Sequence, residues 1–150
     1  SMRDYLQEIT STFREISKKN FVLNFDQDSN TKKITKSIEI VYGLRNFIGN
    51  ANKFSNETIY ISLKTDSEFT EIIIEDDGPG YPSDIMAKIG EPYLRTNNPK
   101  DKSKTGLGLG LFIGKTLLEK NFAIINCRNS KTRKGAEVSI KWKNKELFNI

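Results

Sequence analysis

Two adjacent segments leave this chain little choice of architecture. Glu57–Thr65 places Ile59, Ile61 and Leu63 at every second position, and Phe69–Asp76 centres on Ile72-Ile73-Ile74. Apolar residues at period two mark strands with one face toward a core. The short polar connection between the runs predicts a hairpin. A later run, Ala136–Lys143, alternates Val138, Ile140 and Trp142 with Ser139, Lys141 and Lys143 just as cleanly. Phe21–Phe25 and Phe122–Cys127 read as further strands, and Ile34 as part of a short edge strand.

Helical spacing fills the gaps. Leu6, Ile9, Phe13 and Ile16 recur every three or four residues over 3–18, which predicts an amphipathic helix. A second helix runs from Ser37, a suitable N-cap, to Phe54, with Val41, Leu44, Phe47, Ile48 and Ala51 as its core stripe. A short helix is expected over Ser83–Ile89, and another from the glycine run to about Lys120. Helices interspersed with mostly antiparallel strands give an α+β class: one mixed sheet with helices on one face.

Residues 1–150 suit a single domain, with Ser1-Met2 reading as a cloning remnant. Hydrophobic residues form 36% of the chain and charged residues 29%, the balance of a globular protein rather than a disordered one. The net charge of +5 is scattered apart from Lys100, Lys102 and Lys104. Basic residues are not interleaved with aromatics along a strand, so no nucleic-acid partner is expected. No apolar run has bilayer length, so this domain is expected to make no direct membrane contact. The lone Cys127 rules out an internal disulfide framework and reads as a structural thiol. Histidine is absent altogether.

The residues that could carry chemistry fall in four places. Asn46, Asn50 and Lys53 share one stripe of the second helix, expected to lie roughly opposite the apolar stripe. A carboxamide oxygen there can ligate Mg²⁺, and an ammonium can meet phosphate. Asp77-Gly78-Pro79-Gly80 closes a strand; a carboxylate flanked by glycines can accept the amine of a flat base that approaches the backbone closely. Glu91 to Gly106 is long and polar, with Pro92 and Pro99, as mobile lids are. Gly106-Leu107-Gly108-Leu109-Gly110 opens onto a helix, where free N–H groups suit polyphosphate. It is neither a P-loop nor a dinucleotide fingerprint, since Leu109 and Ile113 stand where those motifs need glycine. Gly135-Ala136 begins the last strand.

In this order the motifs resemble those of the GHKL superfamily, which includes histidine kinases, Hsp90, MutL and gyrase B. Glu91-Pro92-Tyr93 is similar to the aromatic box of histidine kinases. Val41–Asn46, Ile89–Tyr93 and Gly108–Ile113 with Lys115–Glu119 resemble the redox-responsive RegB/PrrB sensor kinases in particular. The resemblance implies a Bergerat-type two-layer α/β sandwich with an ATP lid at about 91–106. It implies ATP and Mg²⁺ as cofactors, with Asn50 on the metal, Asn46 supporting it or reaching phosphate, Lys53 on phosphate, Phe54 near the adenine and Tyr93 among the nucleotide-binding residues. Asp77 would accept the adenine amine, Gly78 and Gly80 giving access. Gly106, Leu107, Gly108, Leu109 and Gly110 would shape the phosphate side. Leu107 stands where a Thr or Ser is common, so a hydroxyl contact is absent, and Ala136 replaces a frequent Thr.

The superfamily's ATPase branches carry a glutamate base four residues before the metal-binding asparagine. Asn46 occupies that position, and a carboxamide takes no proton at neutral pH. The resemblance therefore implies direct transfer of the γ-phosphate to an imidazole, with Asn46, Asn50 and Lys53 in the catalytic set. Arg95, Lys100, Lys102 and Lys104 are candidates for neutralising charge in that transfer. Because the chain has no histidine, the acceptor must lie on a histidine-bearing dimerisation domain outside it, which in turn would feed a response regulator. A cytoplasmic domain of a parent anchored in the inner membrane is implied. A GHKL serine kinase or ATPase, and a non-catalytic nucleotide-sensing module, are the competing readings.

Overall fold

The computed structural model describes residues 1–26, 34, 37–83 and 102–148, with backbone alone over 102–109. A five-stranded sheet has the order β1-β2-β3-β5-β4, built from β1 (Asn20–Phe25), β2 (Thr58–Thr65), β3 (Phe69–Asp76), β4 (Ile124–Asn129) and β5 (Ala136–Lys143). β1 pairs with β2 in parallel, and the other three pairings are antiparallel. The hairpin forms as expected, and Asp66 Oδ1 closes its turn by accepting from the Glu68 and Phe69 amides at 2.8 and 2.7 Å.

Register puts like with like on one face. Ile61 faces Ile74, Leu63 faces Ile72, and across the next pair Ile72 faces Ile140 and Ile74 faces Val138. Opposed residues in an antiparallel ladder share a face, so this alternation forms the floor of the core. These side chains are all buried. Among the described residues the helices are α1 (Met2–Ile16), α2 (Ile38–Phe54), α3 (Lys102–Lys120) and the short α4 (Asn144–Leu147). α2 lies on β3 and packs against α3 and α1. Its buried residues Ile40, Leu44, Phe47, Ile48 and Ala51 are the 3–4 pattern of an amphipathic stripe. Ser37 caps it, the hydroxyl accepting from the Ile40 amide at 3.3 Å. Among the described residues, no helix is long and apolar enough to cross a membrane.

Some expectations are corrected. Ile34 belongs to no strand and packs part-buried against the core instead. β4 starts at Ile124 rather than Phe122, because α3 ends in a tight turn. In that turn Phe122 adopts φ 72° and the Trp142 indole N–H donates to the Asn121 carbonyl at 3.1 Å. α3 begins at Lys102, so the glycine run lies inside a helix and not ahead of it. α4 was not foreseen; Asn144 buries its side chain there, accepting from Thr70 Oγ1 at 2.7 Å and donating to the Asp66 carbonyl at 2.8 Å. The expected helix at 83–89, beyond Ser83, and most of the lid segment at 91–106, up to residue 101, lie outside the described residues.

Candidate functional site

The end of β3, the last turns of α2 and the start of β5 frame a cleft enclosing about 530 Å³, part of it open to solvent. Phe47, Ala51, Phe54, Ile74, Tyr81 and Val138 give it apolar walls, and Asn50 and Asp76 supply polar ones. A flat apolar slot with a few fixed polar groups suits an aromatic base.

Asp76, not Asp77, is the carboxylate in this cleft. It is 4% exposed, and its Oδ1 accepts from the amides of Gly78 at 2.9 Å and Ala136 at 3.3 Å. Among the described residues no donor meets Oδ2, which leaves that oxygen for a ligand. Burial raises the Asp76 pKa, the Gly78 and Ala136 amides pull against it, and the neighbouring Asp77 charge adds to the rise. The glycines are fitted around this group. A Cβ on Gly135 would collide with the Asp76 carbonyl and carboxylate, and one on Gly78 with the Phe54 carbonyl.

Asp77 points away from the cleft. Its Oδ1 accepts from the amides of Asn56 at 2.8 Å and Glu57 at 3.0 Å, and its Oδ2 from Thr58 at 3.1 Å. The Asn56 carboxamide returns a bond to the Asp77 carbonyl at 2.8 Å. Partial burial opposes ionisation, yet the donors from Glu57, Thr58 and Asn56 together hold the pKa below the ordinary value. A carboxylate surrounded by three backbone donors fastens the α2–β2 connection. The expectation that Asp77 meets a base amine does not fit this geometry. A signal for Asp76 was present in the period-two pattern: Ile72, Ile74 and Asp76 share the inward face, whereas Asp77 falls on the outward side. Asp76-Asp77-Gly78-Pro79-Gly80 also keeps the Asp-x-Gly-x-Gly spacing.

On α2, Asn50 is not opposite the apolar stripe. It sits about 60° around the helix from Phe47, at the seam with α3. Its Nδ2 is buried with no hydrogen-bond partner among the described residues. Gly110 makes room for it, since a Cβ there would stand 2.8 Å from Asn50 Oδ1. Phe54 lines the cleft, and the Lys53 ammonium lies 5.4 Å from the centre of its ring. Asn46 is outside the cleft lining and donates to the Tyr42 carbonyl one turn back, at 2.8 Å.

Gly80 adopts φ 81°, the left-handed region that glycine enters without strain. It turns the chain so that Asn129 of β4 can grip the next residue. Asn129 Oδ1 accepts from the Tyr81 amide at 2.7 Å, and its Nδ2 donates to the Tyr81 carbonyl at 3.2 Å. Burial pushes the Tyr81 hydroxyl well above its usual range, and burial likewise lifts the Cys127 thiol to about 11, with the Tyr81 hydrogen bond pulling it back. A thiol held protonated in this way is a poor nucleophile. The clamp by Asn129 carried no sequence signal, being made across 48 residues.

Gly106, Leu107, Gly108, Leu109 and Gly110 are all within α3. In an α-helix the amides of the first turn lack an intrahelical acceptor, so the unbonded N–H groups include Lys102–Lys104, ahead of the glycines. Tyr93, Arg95 and Lys100 lie outside the described residues.

The family model for the histidine kinase-, DNA gyrase B-, and HSP90-like ATPase matches residues 35–146. The chain is 37% identical over 108 residues to the sensor histidine kinase RegB of Cereibacter sphaeroides, covering 69% of this chain and 23% of RegB. It is 33% identical over 99 residues to the sensor protein RstB of Escherichia coli K12, covering 66% of this chain and 23% of RstB. The chain thus spans less than a quarter of these relatives. The fold is shared with the mycobacterial sensor histidine kinase MprB (TM-score 0.75, 19% identity, 95% of both chains). It is also shared with the nucleotide-free catalytic domain of histidine kinase ThkA (TM-score 0.76, 20% identity, 95% of this chain and 93% of that one).

Proposed function

The chain belongs to the histidine kinase-, DNA gyrase B- and HSP90-like ATPase family, and from that membership and the cleft we propose that it binds Mg²⁺-ATP and presents the γ-phosphate to a histidine on another domain. Within the family it is a nucleotide-binding catalytic domain of the sensor-histidine-kinase type. The observation that carries the proposal is Asp76, a buried carboxylate whose Oδ2 is left for a ligand in an apolar slot closed by Phe54. Adenine donates an amine to such a group; guanine presents a carbonyl there, acceptor against acceptor.

The Asn50 carboxamide suits a hard cation: it is partly buried, lacks a partner at Nδ2 and stands between the cleft and α3. Its two ends exchange by a flip of the amide plane, so an oxygen can face the metal. A bound Mg²⁺ would draw charge from the β- and γ-phosphates. Lys53 lies on the same side for a phosphate oxygen. The positive end of α3, ahead of Gly106 to Gly110, would take the remaining phosphate charge. Asn46 offers no base for activating water, which favours transfer over hydrolysis. The acceptor would be a histidine-bearing dimerisation domain that passes the phosphoryl group to a response regulator. A longer parent anchored in the inner membrane, with this domain on its cytoplasmic side, belongs to the same reading.

Calorimetry with a non-hydrolysable ATP analogue, with and without Mg²⁺, tests this directly. Micromolar binding that strengthens with Mg²⁺ and loses that gain in Asn50→Ala is expected. Equal affinity for ATP and GTP analogues, or no dependence on Asn50, would overturn the assignment.

A further inference from the structure

The last turn of α2 is held by side chains from outside the region that the family model matches. Lys19, in the connection between α1 and β1, aims its ammonium at the helix C-terminus. It donates to the Asn52 carbonyl at 3.0 Å, the Ser55 carbonyl at 2.5 Å and the Ser55 hydroxyl at 3.1 Å. Carbonyls at a helix C-terminus lack intrahelical donors and carry the negative end of the dipole, so an ammonium there is stabilising. Beside it, Ser17 Oγ donates to Asn52 Oδ1 at 2.7 Å and accepts from the Lys19 amide at 3.1 Å, which fixes the lysine backbone against the same turn. The next residue continues the attachment, the Asn20 amide donating to the Glu57 carbonyl at 2.8 Å.

This turn also carries the wall of the nucleotide cleft. Phe54 lies between Asn52 and Ser55, its ring lines the cleft, and its carbonyl closes on Gly78. On the far side, Asp77 holds Asn56, Glu57 and Thr58. We propose that Lys19 is a positioning residue for the base: it clamps the last turn of α2 from the α1–β1 connection, and so sets Phe54 against Asp76. The nucleotide touches no part of this clamp; the ammonium acts through the helix end. Its charge also acts on Asp76, helping to keep that carboxylate ionised against burial. Movement of the α1–β1 connection then reaches the nucleotide through the end of α2, chiefly by way of the Lys19 ammonium.

The proposal rests on the reading that this cleft holds adenine, and the test separates the two. ATP- and GTP-analogue affinities are measured by calorimetry for the wild-type domain, Lys19→Met and Lys19→Arg. Lys19→Met keeps the length of the stem and removes the charge. It is expected to weaken ATP about tenfold and to cut the ATP:GTP preference by a similar factor, while Lys19→Arg restores most of both. A uniform loss for both nucleotides, a loss that Lys19→Arg does not repair, or no loss at all overturns the proposal. A wild-type domain that binds no ATP removes the adenine reading itself, and the proposal with it. If Lys19→Met does not fold, Ser17→Ala, which cuts the Asn52 arm of the clamp, decides: a fall in the ATP:GTP ratio supports the role, and an unchanged ratio overturns it.

Discussion

Asp76 and Asp77 are joined by one peptide bond and carry the same side chain, yet the fold treats them in opposite ways. Asp76 ends the inward face of β3 and has two amide donors on one oxygen. Asp77, one residue on, faces the α2–β2 connection and has backbone donors on both oxygens. Burial lifts the first carboxyl's pKa, while its donors only partly offset that. At the second, donors outweigh a smaller burial and the pKa is lowered. A buried carboxylate with an oxygen left over costs stability and offers recognition; one saturated by amides does the reverse.

The comparison breaks most violently at Gly135, because a Cβ there meets the carbonyl and carboxylate of Asp76 alike. Gly135→Ala is expected to cost about 3 kcal/mol through forced backbone displacement and to abolish ATP binding as well, as read by denaturant melts and calorimetry. Asp76→Asn is the cleaner test. It is expected to weaken ATP roughly 100-fold, about 2.7 kcal/mol, because the amide nitrogen sets donor against donor. Its melting temperature should hold or rise, since a buried charge is removed. Asp77→Ala should show the opposite profile. It frees three backbone donors and is expected to lose about 2 kcal/mol, a melting shift of roughly 4–8 °C. ATP affinity should change only about threefold. If instead Asp77→Ala abolishes ATP binding without loss of stability, the two assignments must be exchanged.

The smallest effect is in pH. The folded-state pKa of Asp77 is lowered, so its stabilisation is complete above its unfolded value of roughly 4 and is lost as pH falls through the folded value. The folded-state pKa of Asp76 is raised, so its burial cost applies above that pKa and is relieved as pH falls through it. Acidification from neutral should therefore weaken ATP binding, as Asp76 gains its proton, before the fold loses the Asp77 contribution. Titrating affinity and melting temperature on one pH series separates the two limbs. Asp77→Ala should flatten the acid loss of stability and leave the affinity limb in place.

Much of this is legible in the sequence. The hairpin, the last strand and α2 with its Ser37 cap follow from patterns that repeat within a few residues. Asn50, Phe54 and Gly80, singled out by their motifs, line the cleft. Asp77 was misjudged because the Asp-Gly dipeptide reads as a unit, whereas strand alternation assigns Asp76 to the inner face. The glycine run was expected ahead of its helix because glycine is a poor helix former, at about 1 kcal/mol each relative to alanine. In the fold these residues continue a helix whose later turns pack on α2, and Gly110 is needed there to admit Asn50.

What the sequence by itself determined is therefore the set of elements and the family of motifs. Period two, period 3.6 and motif spacing are all properties of neighbouring residues, and local sterics enforce them. Only the tertiary structure decided that the inner face at the end of β3 opens on a cleft instead of continuing the core. Only it decided what holds that cleft: Ala136 donating to Asp76 across 60 residues, Asn129 gripping Tyr81 across 48, and Lys19 reaching Ser55 across 36. Each joins a polar group to a backbone atom that is left unpaired where an element ends. Which unpaired groups meet is fixed by how the helices lie on the sheet, and no window of sequence contains that.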